Sequence, residues 1–131
     1  MKSSMKIRLL SALSVVVLGA GSAQAQQRAT FPDLTTGEAV YQGICQGCHM
    51  PDAQGALGAG MYPALANNAK LKVAAYPILV VTRGQKAMPE FGPILTDAQI
   101  AAVVAYVRTN FGNTAKDAVT EAQVKAMRPA G

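Results

Sequence analysis

The chain has 131 residues, 50% of them hydrophobic and 5% aromatic, enough for one domain and too little for a large catalytic scaffold such as an eight-stranded barrel. A formal charge of +5, from 12 basic and 7 acidic side chains, suggests nucleic acid or an anionic membrane as partner. Position removes that suggestion. Lys2, Lys6 and Arg8 precede an apolar run from Leu9 to Ala20, too short to span a bilayer, and Ala23-Gln24-Ala25 follows as a small-x-small cleavage pattern.

Residues 1–25 therefore read as a cleaved signal peptide. The remainder, Gln26 to Gly131, carries nine basic against seven acidic residues, a charge of about +2. No later stretch approaches the ~20 uninterrupted apolar residues of a membrane span. The expected product is periplasmic, with no transmembrane segment and no nucleic-acid partner. Residues 26–34 form an N-terminal extension, 35–112 the functional domain and 113–131 a C-terminal tail.

Thr35-Thr36-Gly37-Glu38 has the form of a capping box, with Thr35 as N-cap and Glu38 reaching back. Ala39, Val40, Tyr41, Ile44 and Cys45 follow at helical spacing, which predicts a first helix from about Gly37 to Gln46. At its end stands Cys45-Gln46-Gly47-Cys48-His49, holding both cysteines and the one histidine of the chain. A thioredoxin-like pair would open a helix after a strand, and no strand precedes it. Structural zinc needs four ligands, and a Cys/His nucleophile pair takes its base from elsewhere in a fold. Covalent haem attachment remains: thiols at i and i+3 lie about 5–6 Å apart on one helix face, suited to two vinyl groups of one porphyrin, and His49 follows as an iron ligand. A plain disulfide or metal clip is the alternative.

Met50 to Tyr62, with Pro51, Gly55, Gly58 and Gly60, reads as an irregular loop. Asn67 to Ala75 holds at most a short helical piece. Pro77 to Gly84 is either a short buried strand, by its β-branched content, or a helix with Pro in its first turn and Gly as its stop. Gln85 to Pro93 is a loop. Thr96-Asp97-Ala98-Gln99 is a second capping box, and Ile100, Val103, Val104 and Val107 give an apolar face running to about Arg108. Asn110, Gly112 and Asn113 end that helix, and a last turn or two falls around Thr120 to Met127. With seven aromatic side chains and no tryptophan the core is marginal, so the haem-free polypeptide is expected to lack stable tertiary structure.

A single histidine leaves the iron's second axial position to another residue type, and a thioether is the soft candidate. Met50 is bonded directly to His49, Met61 follows it by only 12 residues, and Met127 lies in the tail. Met88, 39 residues after His49 and restrained by Pro89, is the best placed, which makes His49 and Met88 the metal ligands.

The Cys45-x-x-Cys48-His49 motif and the Ala87-Met88-Pro89-Glu90-Phe91 segment resemble the class I c-type cytochromes, over about Thr35 to Arg108. The resemblance implies an all-α fold of three to five helices around one covalent haem c with its iron, and it favours the helical reading of Pro77 to Gly84. It implies that Gly37 and Tyr41 carry the first helix across the last, opposite Tyr106 and Val107. It also implies that the Pro63 carbonyl, within Tyr62-Pro63-Ala64-Leu65, accepts the free ring N–H of His49. Phe111-Gly112-Asn113 and Val124 to Arg128 are similar to the ends of haem domains in cytochrome subunits of periplasmic dehydrogenases.

The expected activity is single-electron transfer without catalysis, between a dehydrogenase donor and an oxidase or another cytochrome. Lys70, Lys72, Arg83 and Lys86 form a candidate basic rim for such partners, Arg83 or Lys86 being also a candidate for a haem propionate. The rivals are a subunit held permanently in a dehydrogenase complex and a haem peroxidase or gas sensor with a labile sixth ligand.

Overall fold

A helical rod opens the fold. In the computed structural model, which describes residues 30–58 and 60–129, Thr36 rather than Thr35 is the N-cap, its hydroxyl accepting from the Ala39 amide at 3.1 Å. The reciprocal half of the expected box is not made, because the Glu38 carboxylate instead accepts from Gln42 one turn on. Helix α1 (Gly37–Val40) passes into a π-helical turn (Tyr41–Cys45), which passes into α2 (Gln46–His49). The π turn is marked by the Gln46 amide reaching the Tyr41 carbonyl, five residues back. The signal-peptide reading and residues 26–29 of the extension lie outside the described residues.

After α2 the chain reverses at Met50, whose φ of 66° ends the helix. The segment expected to be wholly irregular contains a minimal antiparallel hairpin, β1 (Ala56–Leu57) with β2 (Met61–Tyr62), in register Ala56 to Tyr62 and Leu57 to Met61. A 3-10 turn (Ala69–Lys72) leads to α3 (Ala75–Arg83). The strand alternative for Pro77 to Gly84 is thereby overturned. Pro77 occupies the first turn of α3, where its missing N–H has no intrahelical partner to lose, and Gly84 ends the helix at φ 72°.

Helix α4 (Asp97–Thr109) starts at the capping box foreseen at Thr96 and Gln99, which is complete. The same Gln99 amide donates to the carbonyls of Phe31 and Leu34 at 2.7 and 3.1 Å, so it also ties down the N-terminal extension. Helix α5 (Glu121–Met127) lies within the segment read as a tail and begins at a second complete box, Thr120 with Gln123.

The core is a cluster of small aliphatic side chains: Val40, Ile78, Ile100, Val104 and Val124 are fully buried, drawn from α1, α3, α4 and α5. Where α1 crosses α4, a Cβ on Gly37 would overlap the carbonyl of Ala102 and stand 2.7 Å from the Tyr106 Cβ. Only glycine lets the two backbones meet there. Beside the crossing, the rings of Tyr41, Tyr106 and Phe111 pack together with centroids 5.0 to 5.7 Å apart.

Candidate haem site

Cys45, Cys48 and His49 sit on the continuous rod formed by the π turn and α2. Both thiols are free, Cys45 half-buried and Cys48 exposed. Burial, reinforced by the neighbouring Cys48, pushes the Cys45 thiol up to about 12. A dithiol redox centre needs a depressed thiol pKa, so the raised value at Cys45 argues against that chemistry. Among the described residues, no group of three His, Cys, Asp or Glu side chains is gathered to hold a bare metal ion.

His49 is 8% exposed, and its Nδ1 lies 2.9 Å from the Pro63 carbonyl oxygen. A carbonyl can only accept, so Nδ1 carries the proton and Nε2 keeps its lone pair for a metal. The Pro63 carbonyl is brought to the ring by a backbone crossing. Gly55, at φ 67°, passes so close to Tyr62 and Pro63 that an added Cβ would overlap the Tyr62 carbonyl and lie 2.8 Å from the Pro63 carbonyl carbon. The Gly55 amide donates to the His49 carbonyl at 3.1 Å, and the fully buried Ala53 accepts from the amides of Leu65 and Ala66 at 2.8 and 3.0 Å. The loop after the histidine is thus bonded both to the helix that carries the ring and to the segment that orients it.

Two supports of this wall are not apparent from residue type. The buried Tyr41 hydroxyl donates to the Met50 carbonyl at 2.8 Å, fixing the reversal directly after His49. Its phenol is pushed up to about 12, mainly by burial and secondly by Cys45. Asn113, which reads only as a helix stop, donates to the carbonyls of Leu65 and Val107, each at 2.8 Å, and accepts from the Asn68 amide at 2.9 Å. It pins the segment following Pro63 to the end of α4. The polar Gly112-Asn113 pair is the only trace of this in the sequence, and it is equally a turn signal.

Met88 lies in a tight turn closed by reciprocal 3.0 Å hydrogen bonds between the backbones of Gln85 and Met88, with Lys86 at φ 54°. A Cβ on Gly84 would stand 2.7 Å from the Met88 carbonyl oxygen, so glycine is what allows the turn to fold back on the end of α3. Met88 is half-buried, whereas Met61, in β2, is 74% exposed. Met50 and Met127 are half-buried, Met127 ending α5. Of the basic residues, Lys70 lies 6.0 Å over the Tyr76 ring, Lys72 and Lys86 are exposed, and Arg83 spends two N–H groups on the Met127 carbonyl.

These residues fit a covalently held haem. The structure offers two unpaired thiols on one rod, a shielded imidazole with its outer nitrogen already bonded, and backbone crossings at Gly55 and Gly84 that leave no room for side chains. Exposed apolar surface on Leu57, Met61, Tyr62, Val73, Tyr76 and Leu79, along the segments that follow the histidine, is available to a large apolar ligand.

Residues 32–107 match the family model described as cytochrome C oxidase, cbb3-type, subunit III. The chain is similar to the fructose dehydrogenase cytochrome subunit of Gluconobacter japonicus, 32% identical in an alignment 121 positions long that covers 81% of this chain but only 24% of that protein. It is similar to cytochrome c6 of Diacronema lutheri, 36% identical over 85 residues covering 61% of this chain and 99% of that one. The solved structure of cytochrome c6 from the diatom Phaeodactylum tricornutum superimposes with a TM-score of 0.50 at 31% identity, over 57% of this chain and 90% of the other. The chain therefore belongs to the cytochrome c family represented by these proteins, and its cofactor is covalently bound haem c with its iron.

Proposed function

We propose that the chain is an exported monohaem electron carrier in which Cys45 and Cys48 form the thioethers and His49 and Met88 are the two axial ligands. The observation that carries this reading is the 2.9 Å contact between His49 Nδ1 and the Pro63 carbonyl, which fixes the tautomer and aims the remaining nitrogen. Bound haem c supplies a one-electron iron couple. Two side chains as axial ligands leave no coordination position for substrate or dioxygen, which suits electron transfer and not bond-making chemistry. The Pro63 carbonyl makes the imidazole a stronger donor, and a thioether opposite raises the potential relative to a second imidazole.

Placement supports Met88 over Met61. Met61 is two residues before Pro63, whose carbonyl already meets the imidazole, and is paired into the hairpin, whereas Met88 is carried by a separate loop beyond α3. The donor is a dehydrogenase and the acceptor an oxidase or another cytochrome, met transiently in the periplasm, with Lys70, Lys72 and Lys86 as the steering charges. Reversing Lys70 and Lys72 to Glu should alter the salt dependence of electron transfer.

The test is the visible spectrum of the purified holoprotein. Ligated methionine gives ferric haem a weak sulfur-to-iron charge-transfer band, expected in the parent and in Met61→Ala and lost in Met88→Ala. A band absent from the parent, or lost in Met61→Ala instead, refutes the ligand assignment, and the first outcome favours the peroxidase or sensor reading. Cys48→Ser should lose normal covalent haem. A second reading, a permanently held dehydrogenase subunit, is favoured by the 81% of this chain that aligns with such a subunit. A native mass matching the monohaem chain alone would exclude it.

A further inference from the structure

The loop carrying Met88 leaves α3 after Arg83 and rejoins the fold at α4. Its two ends are bonded directly, the Phe91 and Gly92 amides donating to the Val81 and Thr82 carbonyls at 2.9 and 3.1 Å. They are joined a second time through the C-terminal arm. At the leading end, Arg83 donates from Nε and Nη2 to the Met127 carbonyl at 3.3 and 3.1 Å. At the trailing end, the next residue of the arm, Arg128, donates to the Gly92 carbonyl, the Leu95 carbonyl at 2.9 Å and the Asp97 carboxylate.

The arm is itself anchored independently of the loop. Val124 of α5 is fully buried in the core, and Arg108, 1% exposed, holds Asp117 upstream of α5 while its Nε and Nη2 bond the Leu71 and Lys72 carbonyls at 2.8 Å. The side chain of Arg128 is 14% exposed and that of Asp97 21%, so the ion pair is largely shielded from water. A planar guanidinium reaching three acceptors on one short segment restrains that segment in orientation as well as distance.

We propose that the C-terminal arm is a latch for the distal ligand, with Arg128 as a positioning residue that keeps the Met88 loop closed. The proposal rests on Met88 being the axial ligand. An incoming ligand can bind the iron only when the methionine has left it, so the rate of binding follows the population of the open loop. Loss of the three Arg128 bonds raises that population, and Lys at this position cannot replace the fork.

The experiment uses the ferric holoprotein and imidazole as the entering ligand, followed by stopped flow through loss of the sulfur-to-iron band. Arg128→Ala should bind imidazole about tenfold faster than the parent, equivalent to about 1.4 kcal/mol of loop closure. Arg83→Ala should change in the same direction, and Arg128→Lys should fall nearer Ala than the parent. Val104→Ala, which opens a core cavity on α4 and removes none of the Arg83 or Arg128 hydrogen bonds, should lower thermal stability with little change in the binding rate. Equal rates for parent and Arg128→Ala, with the band present in both, overturn the latch and leave the Met88 assignment intact. An equal acceleration in Val104→Ala also overturns it, since the effect would then be global. No band in the parent defeats the ligand assignment and the latch together.

Discussion

Replacing Gly55 by alanine tests the link between backbone geometry and the imidazole. The residue stands at φ 67°, and its Cβ would meet the Tyr62 carbonyl, the Pro63 carbonyl carbon at 2.8 Å and the Ala64 amide nitrogen at 2.9 Å, all of them backbone atoms with little freedom to yield. A left-handed alanine costs about 1 kcal/mol, forced displacement of a packed segment about 1–3 kcal/mol, and a weakened His49–Pro63 hydrogen bond about 1 kcal/mol. The sum is roughly 3 kcal/mol or more, which for a domain of this size lowers Tm by about 12 °C or more. The potential responds separately: with His49 as the proposed iron ligand, an imidazole that has lost its carbonyl partner donates less to iron, which favours the ferrous state and shifts the potential upward. Thermal unfolding followed at the Soret band and a redox titration read the two effects. Gly58→Ala is the control, because a Cβ there meets nothing within 4 Å. A Gly55→Ala protein with parental Tm and potential refutes the argument that this crossing positions the Pro63 carbonyl.

Gly37→Ala should lower the denaturant midpoint by about 1–3 kcal/mol of stability despite alanine's better helix propensity, because α1 and α4 must separate at Ala102; an unchanged midpoint excludes the close crossing. Tyr41→Phe keeps the aromatic cluster but leaves the Met50 carbonyl without its partner, so Tm should fall by about 4–8 °C for a loss of about 1 kcal/mol. Because burial raises the Tyr41 pKa from 10.0 to about 12, its stabilising contribution is complete below pH 10 and is lost as pH rises through that interval. An alkaline stability profile of the Phe variant with the same slope as the parent contradicts this. Asp117 is held below the usual carboxylate range by its hydrogen bond to Arg108, so its contribution is complete above its unfolded pKa of about 3.9 and is lost as pH falls through the lower folded value. Asp117→Asn should therefore show a weaker acid-side loss of Tm than the parent, and equal losses would count against the pairing.

That Cys45, Cys48 and His49 come together on one helical rod was legible in the sequence, because their spacing falls within about one helical turn and nothing distant is needed to gather them. The caps of α4 and the stop at Gly84 were legible for the same reason: they satisfy local backbone groups with nearby residues. The first cap fell one residue from its expected place, since Thr35 and Thr36 are chemically equivalent and only backbone dihedrals separate them. The last turn or two expected around Thr120 to Met127 is α5, which starts at the box formed by Thr120 and Gln123.

What tertiary structure alone decided lies in pairs far apart along the chain. Asn113 bonds Leu65 across 48 positions, and Arg128 reaches Gly92 across 36. Residue type announces that an amide or guanidinium needs partners; it does not say which carbonyls the backbone path will bring within reach. Local spacing gathered the two thiols and the imidazole on one rod, while the route of the chain decided how the imidazole is held, because orientation comes from crossings such as Gly55 over Pro63 that exist only once distant segments meet.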